Sequence, residues 1–110
     1  RVVHAWDVAV IGFDANTSTY PHGGILDEVG DAETRLSAEV LAGHADRYPD
    51  VALEVTVQRG APAKVLVDAS GDCDLLVTGS RGRGGFAALM LGSVSHKVLH
   101  HAQCSVAVVP

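Results

Sequence analysis

A chain of 110 residues is long enough for one domain with a single core and little beyond it. With 47% hydrophobic and 5% aromatic residues, that core is expected to be Val, Leu and Ala, as suits helices packed on a parallel sheet. A net charge of -5 with few lysines argues against general nucleic-acid binding, and no apolar run approaches the roughly 20 residues of a membrane-spanning helix. No signal peptide is visible and Arg1 is not an initiating residue, so chain upstream of it and a cytoplasmic location are expected.

Arg1-Val2-Val3-His4-Ala5-Trp6 reads as a short buried strand. His4 is expected to be a packed, hydrogen-bonded histidine, because no second ligand stands beside it at metal spacing. Residues 7–26 are a long loop rich in Gly, Asn, Thr, Ser and Pro, with a short apolar piece at Val8 to Phe13. Asn16-Thr17-Ser18 matches a glycosylation sequon, which carries no weight without secretory signals, and Tyr20-Pro21-His22 reads as solvated loop. Leu26 to Tyr48 has helical periodicity, with Val29, Ala32, Leu36, Val40 and Leu41 on one stripe and acids opposite. Asp27, Glu28 and Asp31 suit the positive end of the helix dipole, and Pro49 ends the helix. Its carboxylates, with His44 and Arg47, read as solvated surface.

Val51 to Val57 alternates as the next strand. Ala61-Pro62 starts a helix with Val65, Leu66 and Ala69 as its buried stripe, closed by Ser70-Gly71-Asp72. Asp74 to Thr78 has the pattern of a buried parallel strand. Ser93 is a good N-cap for a last helix, with Val94, Val98 and Leu99 facing inward and His100 and His101 in the final turn. Cys104 to Val109 is a closing strand. Four strands alternating with three helices predict an α/β fold: a parallel sheet, right-handed crossovers, and helices on both faces. Cys73 and Cys104 stand at or just before strand starts, where a reduced, mostly buried thiol is the ordinary state. If those strands are neighbours the thiols come near each other, and a redox role ranks behind the ordinary state.

The connection after Thr78 is the most informative stretch. Gly79, Gly82, Gly84 and Gly85 follow a buried strand, and Gly92 and Ser93 precede a helix. Such a connection suits phosphate, because glycine lets the backbone approach the oxygens and a helix N-terminus offers unpaired N–H groups. All 13 Asp and Glu residues lie at or before Asp74, so residues 75–110 carry only Arg81, Arg83, Lys97 and three histidines. A Walker A loop is excluded, since no lysine follows Gly84. A dinucleotide fingerprint (Gly82, Gly84, Ala87) lacks its acidic ribose partner and its second βαβ unit.

The spacing that fits is Gly79-x2-Gly82-x9-Gly92-Ser93, followed by Val94 and Ser95. It resembles the nucleotide-binding signature of the universal stress protein family, G-x2-G-x9-G-S/T. Arg59-Gly60-Ala61-Pro62-Ala63, Asp74-Leu75-Leu76-Val77 and Ser105-Val106-Ala107-Val108-Val109-Pro110 extend the resemblance over most of the chain. It implies a Rossmann-like fold of the adenine nucleotide alpha hydrolase-like kind, with five strands in the order 3-2-1-4-5. The family's central first strand carries an aspartate that contacts adenine. This chain matches from the second strand onward, so a single domain over residues 1–110, N-terminally incomplete and with four strands visible, is expected.

The resemblance further implies ATP as a regulatory ligand in a stress response, with Mg²⁺ on its phosphates. Backbone N–H groups of Gly79, Gly82, Gly92, Ser93 and Val94 would surround the phosphates, joined by the hydroxyls of Ser93 and Ser95. Arg81 and Arg83 would be charge partners, and Thr78 and Ala5 would line the nucleoside. An alternative is a nucleotide-free module forming a homodimer or tandem pair through the closing strand Ser105 to Val109. A slow ATP hydrolase ranks third: no carboxylate follows Asp74, and His96 is the only base near the loop.

Overall fold

The expected alternation of strand and helix is present in a computed structural model of the chain, which describes residues 1–7, 24–82 and 91–110. The elements are β1 (Val2–Trp6), α1 (Gly24–Arg47), β2 (Val55–Arg59), α2 (Pro62–Ala69), β3 (Leu75–Gly79), α3 (Ser93–His101) and β4 (Ser105–Val109). A single 3-10 turn, Ser70–Asp72, follows α2. The Val8–Phe13 piece, the sequon, Tyr20-Pro21-His22, Arg83, Gly84 and Gly85 lie outside the described residues. Two units divide the chain, Arg1–Gly60 and Ala61–Pro110. Each holds one parallel ladder. Val2 to Trp6 lie opposite Val55 to Arg59 in the first, and Leu75 to Gly79 opposite Ser105 to Val109 in the second. The α/β class with parallel strands is as expected. The strands are joined as two two-stranded ladders, the neighbour pairs that the second-to-fifth strands of the expected order would make.

In the first unit α1 packs on the β1–β2 ladder. Its inward face runs through Leu26, Val29, Gly30, Glu33, Leu36, Ser37 and Leu41, while Ala32 and Val40 of the expected stripe are exposed. The stripe differs because a polar pair lies on the inner face. His4 Nε2 donates to Glu33 Oε2 at 2.6 Å, so Glu33 leaves the solvated face to which the acids were assigned. Gly30 stands where the helix meets Trp6, and a Cβ there would come within 3.3 Å of indole Cζ2. Strand β2 begins later than expected, because the chain first turns with Val51 N–H bonded to Tyr48 O, and the ladder starts only from Glu54 O, which accepts from Val2 N–H. Gly60 ends the ladder at φ 153°, a conformation open mainly to glycine, and donates to Trp6 O. Glu33→Ala leaves a half-buried imidazole without its partner and is expected to lower unfolding free energy by about 1 kcal/mol. Glu39→Ala, on the exposed face, should cost under about 0.5 kcal/mol in the same urea melts.

In the second unit α2 packs against α3, and α3 against β4. Among its described residues, Val65 and Val98 are the buried apolar side chains, with Val98 at 0% exposure. Leu99 is 44% exposed, against the inward position expected for it, because the buried face of α3 runs Ser95 to Val98. Leu75 and Val77 are also exposed, at 55% and 57%. The expected fully buried strand is covered on one face only: Leu76 and Thr78 point inward, and among the described residues of this unit no element covers the other face. Ser70 is the buried polar hinge. Its Oγ donates to Val67 O at 2.6 Å and accepts from Gln103 N–H at 2.9 Å, fastening the end of α2 to the turn before β4.

Candidate functional site

The second unit brings the two ends of the glycine-rich connection together around one carbonyl. Ser80 N–H donates to Val109 O at 2.6 Å, which carries the β3–β4 ladder one residue past Gly79. Ser80 O then accepts from Gly92 N–H at 2.6 Å and from Ser95 Oγ at 3.1 Å. Both lone pairs of that oxygen are therefore filled. Ser95 Oγ also lies 3.0 Å from Gly92 O, so a buried hydroxyl holds the start of α3 against the end of β3.

The cap of α3 is Gly92, with φ -74° and ψ 162°, and not the expected Ser93; no side chain caps the helix. Ser93 is the first helical residue and is exposed, because the hydrogen bond to Ser80 fixes the entry one residue earlier. The first regular helical bond runs from His96 N–H to Gly92 O. Ser93, Val94 and Ser95 therefore present the N–H groups that have no acceptor within the helix. Gly92 N–H, by contrast, is already committed to Ser80. These amides sit at the positive end of the α3 dipole.

The glycines differ in what surrounds them. A Cβ on Gly92 would meet Ser80 O at 3.4 Å, Arg81 Cα at 3.6 Å and Ser95 Oγ at 3.7 Å, and one on Gly79 would meet Arg81 O at 3.4 Å. Among the described residues, nothing lies within 4 Å of a Cβ on Gly82. None of the three has a positive φ. At Gly92 and Gly79 a Cβ would have neighbours at ordinary van der Waals distance, which leaves room for little more than a methyl group on those sides.

Thr78 is half-buried at the top of β3, opposite Val108, and its Oγ makes a long 3.4 Å contact to Gly79 O. Arg81 and Lys97 are exposed beside the turn. The structure thus gathers Thr78, Gly79, Arg81, Gly82, Gly92, Ser93, Val94 and Ser95 along the turn and the start of α3. Ala5 belongs to the first unit, where it lies opposite Gln58 on β1. His96 is exposed, its ring 4.6 Å from that of His100. Sequence reasoning missed Ser80, whose carbonyl organises the turn. Its side chain gives no signal for this, since the work is done by main-chain atoms. Among the described residues no cluster of three or more His, Cys, Asp or Glu is placed to hold a metal ion, and no helix is long and apolar enough to cross a membrane.

Comparison with known proteins agrees with the family resemblance. A family model described as the universal stress protein family matches residues 1–110. Universal stress protein Rv2005c of Mycobacterium tuberculosis is 43% identical over 108 residues, covering 96% of this chain and 34% of that protein. Universal stress protein Rv2623 of the same organism is 39% identical over 106 residues, covering 96% of this chain and 33% of that protein. A universal stress protein of Mycolicibacterium smegmatis is 43% identical over 89 residues, covering 81% and 30%. The chain spans about a third of the length of these curated relatives.

Proposed function

From the premise that the chain belongs to the universal stress protein family, we propose that it binds ATP at the β3–α3 turn as a regulatory ligand in a cytoplasmic stress response. The observation that carries this reading is the clamp on Ser80 O. It sets the glycine backbone at Gly79 and Gly82 on the same turn as the N-terminal amides of α3 at Ser93, Val94 and Ser95. A polyphosphate suits that arrangement: close backbone approach, N–H donors, a favourable dipole end, and no carboxylate in residues 75–110 to repel it.

In this mechanism Ser93 and Val94 donate main-chain N–H groups and the exposed Ser93 hydroxyl adds a further bond. Ser95 acts through the turn, because its hydroxyl is engaged by the Ser80 and Gly92 carbonyls. Arg81 supplies charge. Thr78, at the top of β3, would line the nucleoside. Mg²⁺, when bound, neutralises phosphate charge; with no carboxylate beside the turn, it would be held by phosphate oxygens and water. The chemistry required of the protein is binding and not bond cleavage, since efficient hydrolysis needs a positioned base. Among the described residues of the turn and of α3's first turn, His96 is the candidate for one, and its ring stands 4.6 Å from that of His100.

Titration calorimetry with Mg-ATP tests this directly. Saturable binding near one per chain is expected, and a flat titration would contradict it. Arg81→Ala should weaken that binding about fivefold and flatten its salt dependence, as the loss of one exposed charge partner does.

A second reading rests on β4, which among the described residues pairs only with β3. Its other edge, with Val109 46% exposed, suits pairing with the same strand of a second copy or of a tandem domain. Val108→Pro would remove a ladder donor, and a dimer converted to monomer in light scattering would support this assembly.

A further inference from the structure

The ends of β3 and β4 opposite the glycine turn hold a feature that nucleotide binding does not use. Cys73 precedes β3, Cys104 precedes β4, and their Sγ atoms lie 3.5 Å apart. Both are free thiols, Cys73 exposed and Cys104 half-buried. The mostly buried state expected of them from sequence therefore fails for Cys73. The proximity is built into the fold. The parallel register places Leu75 opposite Ser105, so the residues just before each strand are neighbours. The Ser70 hydroxyl holds Gln103 N–H from one side, and Cys73 Sγ reaches back toward Ser70 O at 3.7 Å on the other. One buried serine thus fixes both thiol-bearing segments.

We propose that Cys73 and Cys104 form a reversible intramolecular disulfide, making the base of the β3–β4 ladder an oxidation site for hydroperoxides. Closing from 3.5 Å to the ~2.05 Å of a disulfide is within the reach of side-chain rotation. Cys73, the exposed thiol, meets the oxidant. Its thiolate attacks a peroxide oxygen, the O–O bond breaks, the sulfur becomes a sulfenic acid, and the other oxygen leaves and is protonated to water or an alcohol. Cys104 then attacks the sulfenic sulfur as its thiolate. The S–S bond forms, the S–O bond breaks, and the departing hydroxide takes up the proton lost by Cys104. Two thiols and one hydroperoxide give one disulfide, one water and one water or alcohol. A dithiol reductant reverses the change. Cys104 suits the second, resolving position: its partial burial first, and then its hydrogen bond with Cys73, hold its thiol above the ordinary value. It is therefore the less reactive of the two until a sulfenic acid forms beside it.

The test treats the reduced full chain with hydrogen peroxide and maps peptides without reduction. A Cys73–Cys104 linked peptide in single, uncrosslinked chains is expected, with both free thiols lost together and restored by dithiothreitol. The bridge encloses β3 and α3, so the oxidised chain should melt on the order of 10 °C higher. Cys104→Ser should strand the sulfenic acid on Cys73 and raise dimedone labelling there at least tenfold, and Cys73→Ser should abolish that labelling. Disulfides only between chains would overturn the proposal. So would separate sulfinic acids on the two residues, or two thiols unchanged by peroxide that fully oxidises free cysteine.

Discussion

Replacing Gly92 with valine is expected to lower ATP affinity at least about 100-fold, which corresponds to nearly 3 kcal/mol. The backbone at Gly92 is ordinary, with φ -74°, so left-handed strain is not the cause. Space is. A Cβ there already has three neighbours between 3.4 and 3.7 Å, and one of them is the Ser80 carbonyl that closes the turn. Valine adds two methyl groups to that Cβ, and they displace Ser80, Arg81 or the Ser95 hydroxyl. The bond from Gly92 N–H to Ser80 O then breaks, and the start of α3 leaves the end of β3. Alanine should be tolerated with a loss of a few-fold, because its single Cβ sits at ordinary contact distance. Gly82→Ala is the informative comparison. With nothing among the described residues within 4 Å, its thermal stability should match the parent, while ATP binding falls about tenfold because the added methyl occupies the ligand's approach. Equal binding by parent and Gly82→Ala would place the nucleotide elsewhere.

The second large effect is on stability. Val98→Ala should reduce unfolding free energy by about 2 kcal/mol, from two buried methyl-sized groups plus the cavity they leave. Val98 is fully buried where α3 meets its neighbours, and it lies one turn from Ser95 on the same face. The loss loosens the helix whose first amides form the proposed site, so ATP binding should weaken modestly with it. Leu99→Ala removes a larger side chain but one 44% exposed, and should cost less than about 1 kcal/mol. Urea titrations of the two variants read the difference directly. Equal losses would mean that the buried face of α3 is wrongly placed.

Those two neighbours also show how far the sequence could be read. Helical periodicity identified α3 and its length, yet Val94, Val98 and Leu99 are equally apolar, and the choice between them depends on which way the helix is turned. That orientation is set by main-chain bonds at Ser80 and Gly92, which no side-chain pattern reports. The glycine signature was legible because spacing, strand and helix all agreed at one place. The cap was misread for a related reason: Ser93 is a better capping residue than glycine in isolation, but the Ser80 carbonyl recruits Gly92 first. Glu33 shows tertiary context overriding composition. On the sequence it is one acid among many, and only the strand that carries His4 makes it a partner. The cysteine pair depends in the sequence on its strands being neighbours, and the parallel register of β3 and β4 meets that condition at 3.5 Å.

Regulation by a bound nucleotide requires, before anything else, that the nucleotide be there. Purified protein should be denatured and the released small molecules identified by mass spectrometry. ATP or ADP at close to one per chain is the expected result. An extract free of nucleotide, together with a flat ATP titration of the same protein, would contradict the proposed site and leave the glycines as elements of a turn.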